Sequence, residues 1–353
     1  MDNSLLFTLL SEALWRKDVT IPVELSSKKT EILFLLAEQQ AVSGIVADAL
    51  VRRNVKLPQN WVFKTVGLLE QIKWKSRVIN EGAVKLEQLM SEANISYVIV
   101  KGQVVASYYL DPLLRQSGDI DYFCDALNFE VSQEVIKKNW GVEAKREDSE
   151  LHVHFDYQEV TYEGHFSLTN LYNKRRNCYW KKIIANDIGT TVSISGQQIR
   201  TLSPTLHTLY VFIHLYSHLL ALGVGLRQFC DLAVMLHYCK EHINLEVMRE
   251  HLNALGLEKA YRACGSILVD QLGLKNEELG YSLTDSDRKY GMRVLRVVMY
   301  RGNMGHYNKR NGFCGVRHKM EAAGIKLSHF VKFLPLSPGY SVGWLCHEFR
   351  RNV

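Results

Sequence analysis

Asp119-Ile120-Asp121 is the segment of this chain best suited to chemistry. It lies in a short run, Gly118 to Cys124, of strand-like composition, and side chains alternate faces along a strand. Asp119 and Asp121 therefore project together, with Cα atoms about 6.6 Å apart at ~3.3 Å per residue. Ile120, Tyr122 and Cys124 turn the other way. Two carboxylates so placed can share divalent ions, and two-ion sites hold their metals ~3.5–4 Å apart. Oxygen-only ligands suit Mg²⁺ or Mn²⁺ better than Zn²⁺. For D-x-D taken alone, a pair of solvated strand-end acids is the plain alternative.

The unit before the pair gives it context. The β-branched and aromatic run Ile95 to Val100 ends in Lys101-Gly102, and a helical stretch follows to Leu110. A strand that turns straight into a helix offers backbone N–H groups to phosphate, and Gly102 clears the space a phosphate needs. Lys101 adds a cation, and Arg115, four residues before Asp119, adds another beside the carboxylates. Strand, Lys-Gly turn, helix, Arg and Asp-Ile-Asp strand together suit the handling of a nucleotide.

The pattern Val100-Lys101-Gly102 … Arg115-Gln116-Ser117-Gly118-Asp119-Ile120-Asp121 resembles nucleotidyltransferases of the DNA polymerase beta superfamily. In particular it is similar to a bacterial branch described as uncharacterised nucleotidyltransferases, over residues 95–235. Abortive-infection toxins share a similar K-G … R-x-S-x-D-I-D pattern. The resemblance implies an α+β fold with a small mixed-sheet core, NTP as substrate, and two ions of Mg²⁺ or Mn²⁺. It implies Asp119 and Asp121 as metal ligands, with Lys101, Gly102, Gln103 and Arg115 at the nucleotide. Gln103 stands where the superfamily commonly has Ser, and it lies further from the D-x-D than the shortest family spacing.

Relatives carry a third carboxylate on a neighbouring strand, closing with an acid-x-His-aromatic pattern that Glu163-Gly164-His165-Phe166 matches. The resemblance makes Glu163 the third catalytic and metal-binding acid, with His165 on the same strand face and Asp156 as rival. The acceptor stays open: a small molecule, RNA or a protein. A toxin acting on tRNA or protein and an inactive nucleotide-binding module are the competing readings.

The surrounding elements fall into three parts. Residues 1–92 carry apolar positions at helical spacing, punctuated by Pro22 and Pro58, with Ser26-Ser27 as an N-cap. Residues 93–200 form the α/β core, with a helix at 127–138, strands around 151–155 and 160–168, and a hairpin turning at Ser195-Gly196. Residues 201–353 are helical again, starting at Ser203-Pro204, with a Gly- and Asn-rich basic loop from Arg301 to Lys319 that includes Lys309-Arg310. Gly302 and Gly305 there would let a triphosphate approach, although a surface loop serves as well.

His207, His214 and His218 share one helix face. The spacing lacks supporting metal ligands, so these histidines read as a packed wall beside the active-site cleft, hydrogen-bonded to Arg227 and Asp231. Those two are themselves placed for an ion pair, or for contact with base or acceptor. The apolar run Leu209 to Leu226 holds His214, Ser217 and His218, which are costly at mid-bilayer, so it reads as a buried core helix.

Composition bounds the rest. With 353 residues, 47% hydrophobic and 23% charged, the chain is globular in type. Its seven Cys contain no C-x-x-C pair, which argues against a disulfide framework or zinc knuckle and for a reducing, cytoplasmic setting. From Arg288 onward thirteen Lys/Arg face two acids, +11 of a chain total of +6. Such a basic region suits an anionic partner.

Overall fold

Four helices precede the first strand in the computed structural model, which describes residues 3–146, 151–221, 223–305 and 316–351. They are α1 (Ser4–Trp15), α2 (Ser27–Gln39), α3 (Ser43–Arg52) and α4 (Gln59–Glu92). Ser26 caps α2 as expected, its hydroxyl accepting the Lys29 N–H. The 34-residue α4 spans roughly 50 Å at 1.5 Å per residue. Its buried Ile79, Ala83, Leu86 and Met90 pack on the sheet. Gly82 permits that approach, because a Cβ there would lie 2.8 Å from the Tyr162 hydroxyl.

The sheet holds β1 (Val98–Val100), β2 (Asp119–Phe123), β3 (Lys145–Arg146), β4 (His152–Tyr157) and β5 (Val160–His165), in the order β1-β2-β5-β4-β3. The β2–β5 pair is parallel and the others antiparallel, so the sheet is mixed and the fold is α+β. β1 starts three residues later than expected, since Asn94 takes a left-handed turn (φ 54°) and the Ser96 N–H is spent on the Asn128 side chain.

Helix α5 (Gly102–Ala106) is five residues long and stops short of the expected Leu110. Pro112 forces Asp111 into extended backbone, and the last turns tighten to i→i+3 hydrogen bonds at Tyr108 and Tyr109. Helix α6 (Ala126–Trp140) is capped by Asp125 and closed by Gly141. After α7 (Lys174–Ala185) comes the expected hairpin, β6 (Thr190–Ile194) and β7 (Gln197–Thr201). Ser195 and Gly196 both take positive φ there, as a two-residue hairpin turn requires.

The remaining helices are α8 (Pro204–Ala221), α9 (Leu226–Tyr238), α10 (Leu245–Leu255), α11 (Glu258–Asp270), α12 (Asp285–Arg301), α13 (Val316–Phe333) and α14 (Pro338–Arg351). One apolar cluster joins α1–α3 to α8–α12, with Phe7, Leu50, Phe212, Phe229 and Val298 among its members. A second lies between α4, α6 and one face of the sheet. Helix α8 is buried along most of its length, as its sequence implied, but it ends at Ala221 and Leu226 opens α9 behind Gly225, so the apolar run expected as one helix is divided between two. Among the described residues, no helix is long and apolar enough to cross a membrane. Of the expected basic loop, residues 306–315, including Lys309-Arg310, lie outside the described residues.

Candidate active site

The site begins with the strand register. Parallel pairing of β2 and β5 sets Asp121 beside Glu163 and Asp119 beside Thr161. Ile120, Tyr122 and Tyr162 enter the apolar cluster under α4, so the acids face the opposite side of the sheet. There they line a cleft of about 360 Å³, with Lys101, Gly102, Arg115 and His165. Helices α8 and α9 form its far wall with Tyr210, His214, His218, Arg227 and Gln228.

Lys101 is held in an unusual backbone conformation (φ 56°, ψ −136°), and its N–H donates to His207 Nε2 at 3.0 Å. The turn aims its ammonium at Asp121, with Nζ 2.5 Å from Oδ1. His165 Nε2 meets the same oxygen at 2.8 Å and stands 3.7 Å from Glu163 Oε2. Burial would raise the Asp121 pKa, but Lys101 and His165 outweigh it and hold the carboxyl well below the usual range. Glu163 is pushed up to about 7 by burial and by Asp121. Burial, then Asp121, also raises Asp119. Burial lowers the His165 pKa, against the opposing pull of Asp121. Four acids, Asp119, Asp121, Glu163 and Asp231, share the cleft with three cations, Lys101, Arg115 and Arg227.

Several expectations are corrected here. Arg115 is no loose cation. Its Nε and one terminal nitrogen each donate to Asp231 at 2.8 Å, the other terminal nitrogen reaches Ser117 Oγ at 2.7 Å, and the side chain is buried. Tyr109 adds a third hydrogen bond to Asp231, at 2.8 Å. Asp231 is therefore committed to Arg115, and the expected Arg227–Asp231 pair does not form. Arg227 donates instead to the Gln116 carbonyl at 2.6 Å, and its buried Nε has no hydrogen-bond partner.

The histidine wall also differs. His207 serves the Lys101 backbone, and His214 and His218 pack edge to face at 4.4 Å. Among the described residues, no hydrogen bond ties these three to Arg227 or Asp231. Gln103 does not line the cleft, because its position on α5 turns the side chain into the interior at 2% exposure. Five residues of α5 also make less of a helix terminus than the sequence implied. Gly102, at φ 26°, does line the cleft against the Asp119 backbone. Asp156 lies away from it, hydrogen-bonded to Thr161 at 2.6 Å.

His165 carries no assigned role in the sequence pattern, and Tyr210 and Gln228 lie outside the motifs, yet all three line the cleft. Among the described residues, the group of potential metal-ligand atoms that lie within 4.8 Å of one another comes from Asp121, Glu163 and His165. The acid-x-His spacing on one strand face was the available signal for it. Carboxylates with uncompensated charge, two of them holding protons more tightly than usual, fit a divalent cation.

The model of a family described as "Uncharacterised nucleotidyltransferase" matches residues 26–271. A solved structure, "Crystal structure of an antigenic nucleotidyltransferase-like protein from Paracoccidioides brasiliensis", is similar at 18% identity and a TM-score of 0.38. The likeness covers 56% of this chain and 94% of that one. No curated protein matches the chain.

Proposed function

From the premise that the chain belongs to the family of uncharacterised nucleotidyltransferases, we propose a metal-dependent enzyme that transfers a nucleoside monophosphate from an NTP to an acceptor hydroxyl. Pyrophosphate is released. The observation that carries this reading is the meeting of Asp119, Asp121 and Glu163 in one cleft, opposite a cation with donor capacity to spare. The placement in the bacterial DNA polymerase beta-like branch rests on the Lys101-Gly102 … Asp119-Ile120-Asp121 pattern, and the cytoplasmic setting on the cysteine usage.

Asp119, Asp121 and Glu163 would hold Mg²⁺ or Mn²⁺ ions, two in number. Bound there, the ions neutralise charge on the phosphates and polarise the α-phosphate. The acceptor oxygen attacks the α-phosphorus in line, the bond to the bridging oxygen breaks, and the acceptor proton passes to Glu163. Arg227 supplies the phosphate contact that Arg115, locked to Asp231, cannot. Lys101, whose ammonium lies beside Asp121, would offset charge on the phosphates, and the Gly102 turn leaves room for the nucleotide. Catalysis is then mostly positioning and electrostatics.

The test is pyrophosphate release and label transfer from α-labelled NTPs, with sugar phosphates, RNA and proteins as acceptors. Glu163→Gln should bind nucleotide normally and lose about 10²–10⁴-fold in transfer, the range a positioned base contributes. Nucleotide binding with no pyrophosphate released for any acceptor would instead mark an inactive module.

A further inference from the structure

We infer that His165 is itself a metal ligand, which makes the centre a mixed imidazole–carboxylate site. Such a site takes a first-row transition cation of the Mn²⁺ class in preference to Mg²⁺. The inference rests on the metal-dependent reading above and deepens it.

Three observations support it. One potential ligand atom from each of Asp121, Glu163 and His165 lies within 4.8 Å of the other two, and Asp119 is outside that group. The separations fit coordination: His165 Nε2 is 2.8 Å from Asp121 Oδ1 and 3.7 Å from Glu163 Oε2. Ligands ~2.1 Å from one ion and at right angles lie about 3 Å apart. Finally, His165 is 5% exposed, and its Nδ1 has no hydrogen-bond partner. The hydrogen bond to Asp121 places the proton on Nε2, whereas coordination requires it on Nδ1, which is free to take it.

An imidazole changes which ion is preferred. Carboxylates and water suit Mg²⁺ and Mn²⁺ alike, whereas a nitrogen ligand favours transition ions. An ion between Asp121, Glu163 and His165 also displaces the Lys101 ammonium, which occupies the same Asp121 oxygen at 2.5 Å. The exchange trades one positive charge for two.

The experiment titrates Mn²⁺ into the full chain without nucleotide and examines the bound ion by electron spin-echo modulation. Wild type should show coupling to one directly bound ¹⁴N. His165→Gln should lose that coupling, and His152→Gln, whose ring lies 5.1 Å from that of His165, should keep it. Mg²⁺ should displace Mn²⁺ only at concentrations on the order of tenfold higher or more. Affinity alone does not separate a ligand from a hydrogen-bonding neighbour, because losing either costs on the order of 10–100-fold; the nitrogen coupling does. If His165→Gln fails to fold, wild-type and His152→Gln chains carrying ¹⁵N-histidine should both exchange the ¹⁴N pattern for a ¹⁵N one. Bound Mn²⁺ without a coordinated nitrogen would overturn the inference and leave the carboxylate site standing. No bound Mn²⁺ would overturn both.

Discussion

Replacing Asp231 by Leu should destabilise the protein far more than replacing both Asp231 and its partner. The carboxylate accepts two hydrogen bonds from Arg115 and one from Tyr109, each at 2.8 Å, and the two charged side chains are 5% and 6% exposed. Removing one member of such a pair leaves an uncompensated buried charge and costs about 3–5 kcal/mol. Unfolding entropy of about 2.1 cal/mol/K per residue over 353 residues gives ~0.74 kcal/mol/K. The melting midpoint of Asp231→Leu should therefore fall by about 4–7 °C. Arg115→Met/Asp231→Leu removes both charges and should return to within about 1–2 kcal/mol of wild type. Thermal and urea unfolding of wild type, the two single variants and the double variant close the cycle. A loss below about 1 kcal/mol for Asp231→Leu, the range of an exposed pair, would refute the reasoning, as would a double variant no better than the worse single one.

Arg227→Met should leave the fold intact or steadier, since it removes a half-buried cation with a buried, unpartnered Nε and, among the described residues, no ion pair, yet weaken NTP binding by about 10–150-fold, the worth of a hydrogen bond to a charged group; calorimetry checks it. His207 is 1% exposed and pushed down to about 3, by burial first and Lys101 second. A histidine held neutral gains a proton on unfolding, so its contribution is whole above pH ~6.5 and is lost as pH falls through that value toward the folded one. In urea titrations the stability gap between wild type and His207→Gln should therefore shrink by about 1.6 kcal/mol from pH 6.5 to 5; a constant gap would contradict it. On α4, Gly82→Ala should cost about 1–3 kcal/mol, because its Cβ would lie 2.8 Å from the Tyr162 hydroxyl. Gly67→Ala on the same helix meets nothing within 4 Å and should stabilise by about 0.5–1 kcal/mol; equal effects would mean the helix does not pack on the sheet as described.

What could be read from the sequence was local. Asp119-Ile120-Asp121 alternates because a strand must, and the sheet buries Ile120 while the acids face the cleft. Ser195-Gly196 sits in a turn that demands positive φ, and Ser26 and Ser203-Pro204 mark their helix starts. What escaped was set by distant pairing. Asp231 lies 116 residues from Arg115, and spacing within α9 pointed to Arg227 instead. Lys101 and Arg115 look like free cations in the sequence, yet each is committed to a carboxylate once β2, α5 and α9 meet. The far wall of the cleft comes from α8 and α9; the histidines were legible as a wall beside the site, but their hydrogen-bond partners were not. The length of α5 turned on Pro112, beyond its apolar pattern.

Calorimetric titration of each Mg²⁺–NTP and Mn²⁺–NTP into wild type and into Asp119→Asn/Asp121→Asn tests the central claim most directly. The account predicts that at least one nucleotide binds wild type at micromolar level and that the double variant loses it. Nucleotide binding unchanged by the double substitution, or none to either protein, would contradict the assignment of this cleft as a metal–nucleotide site.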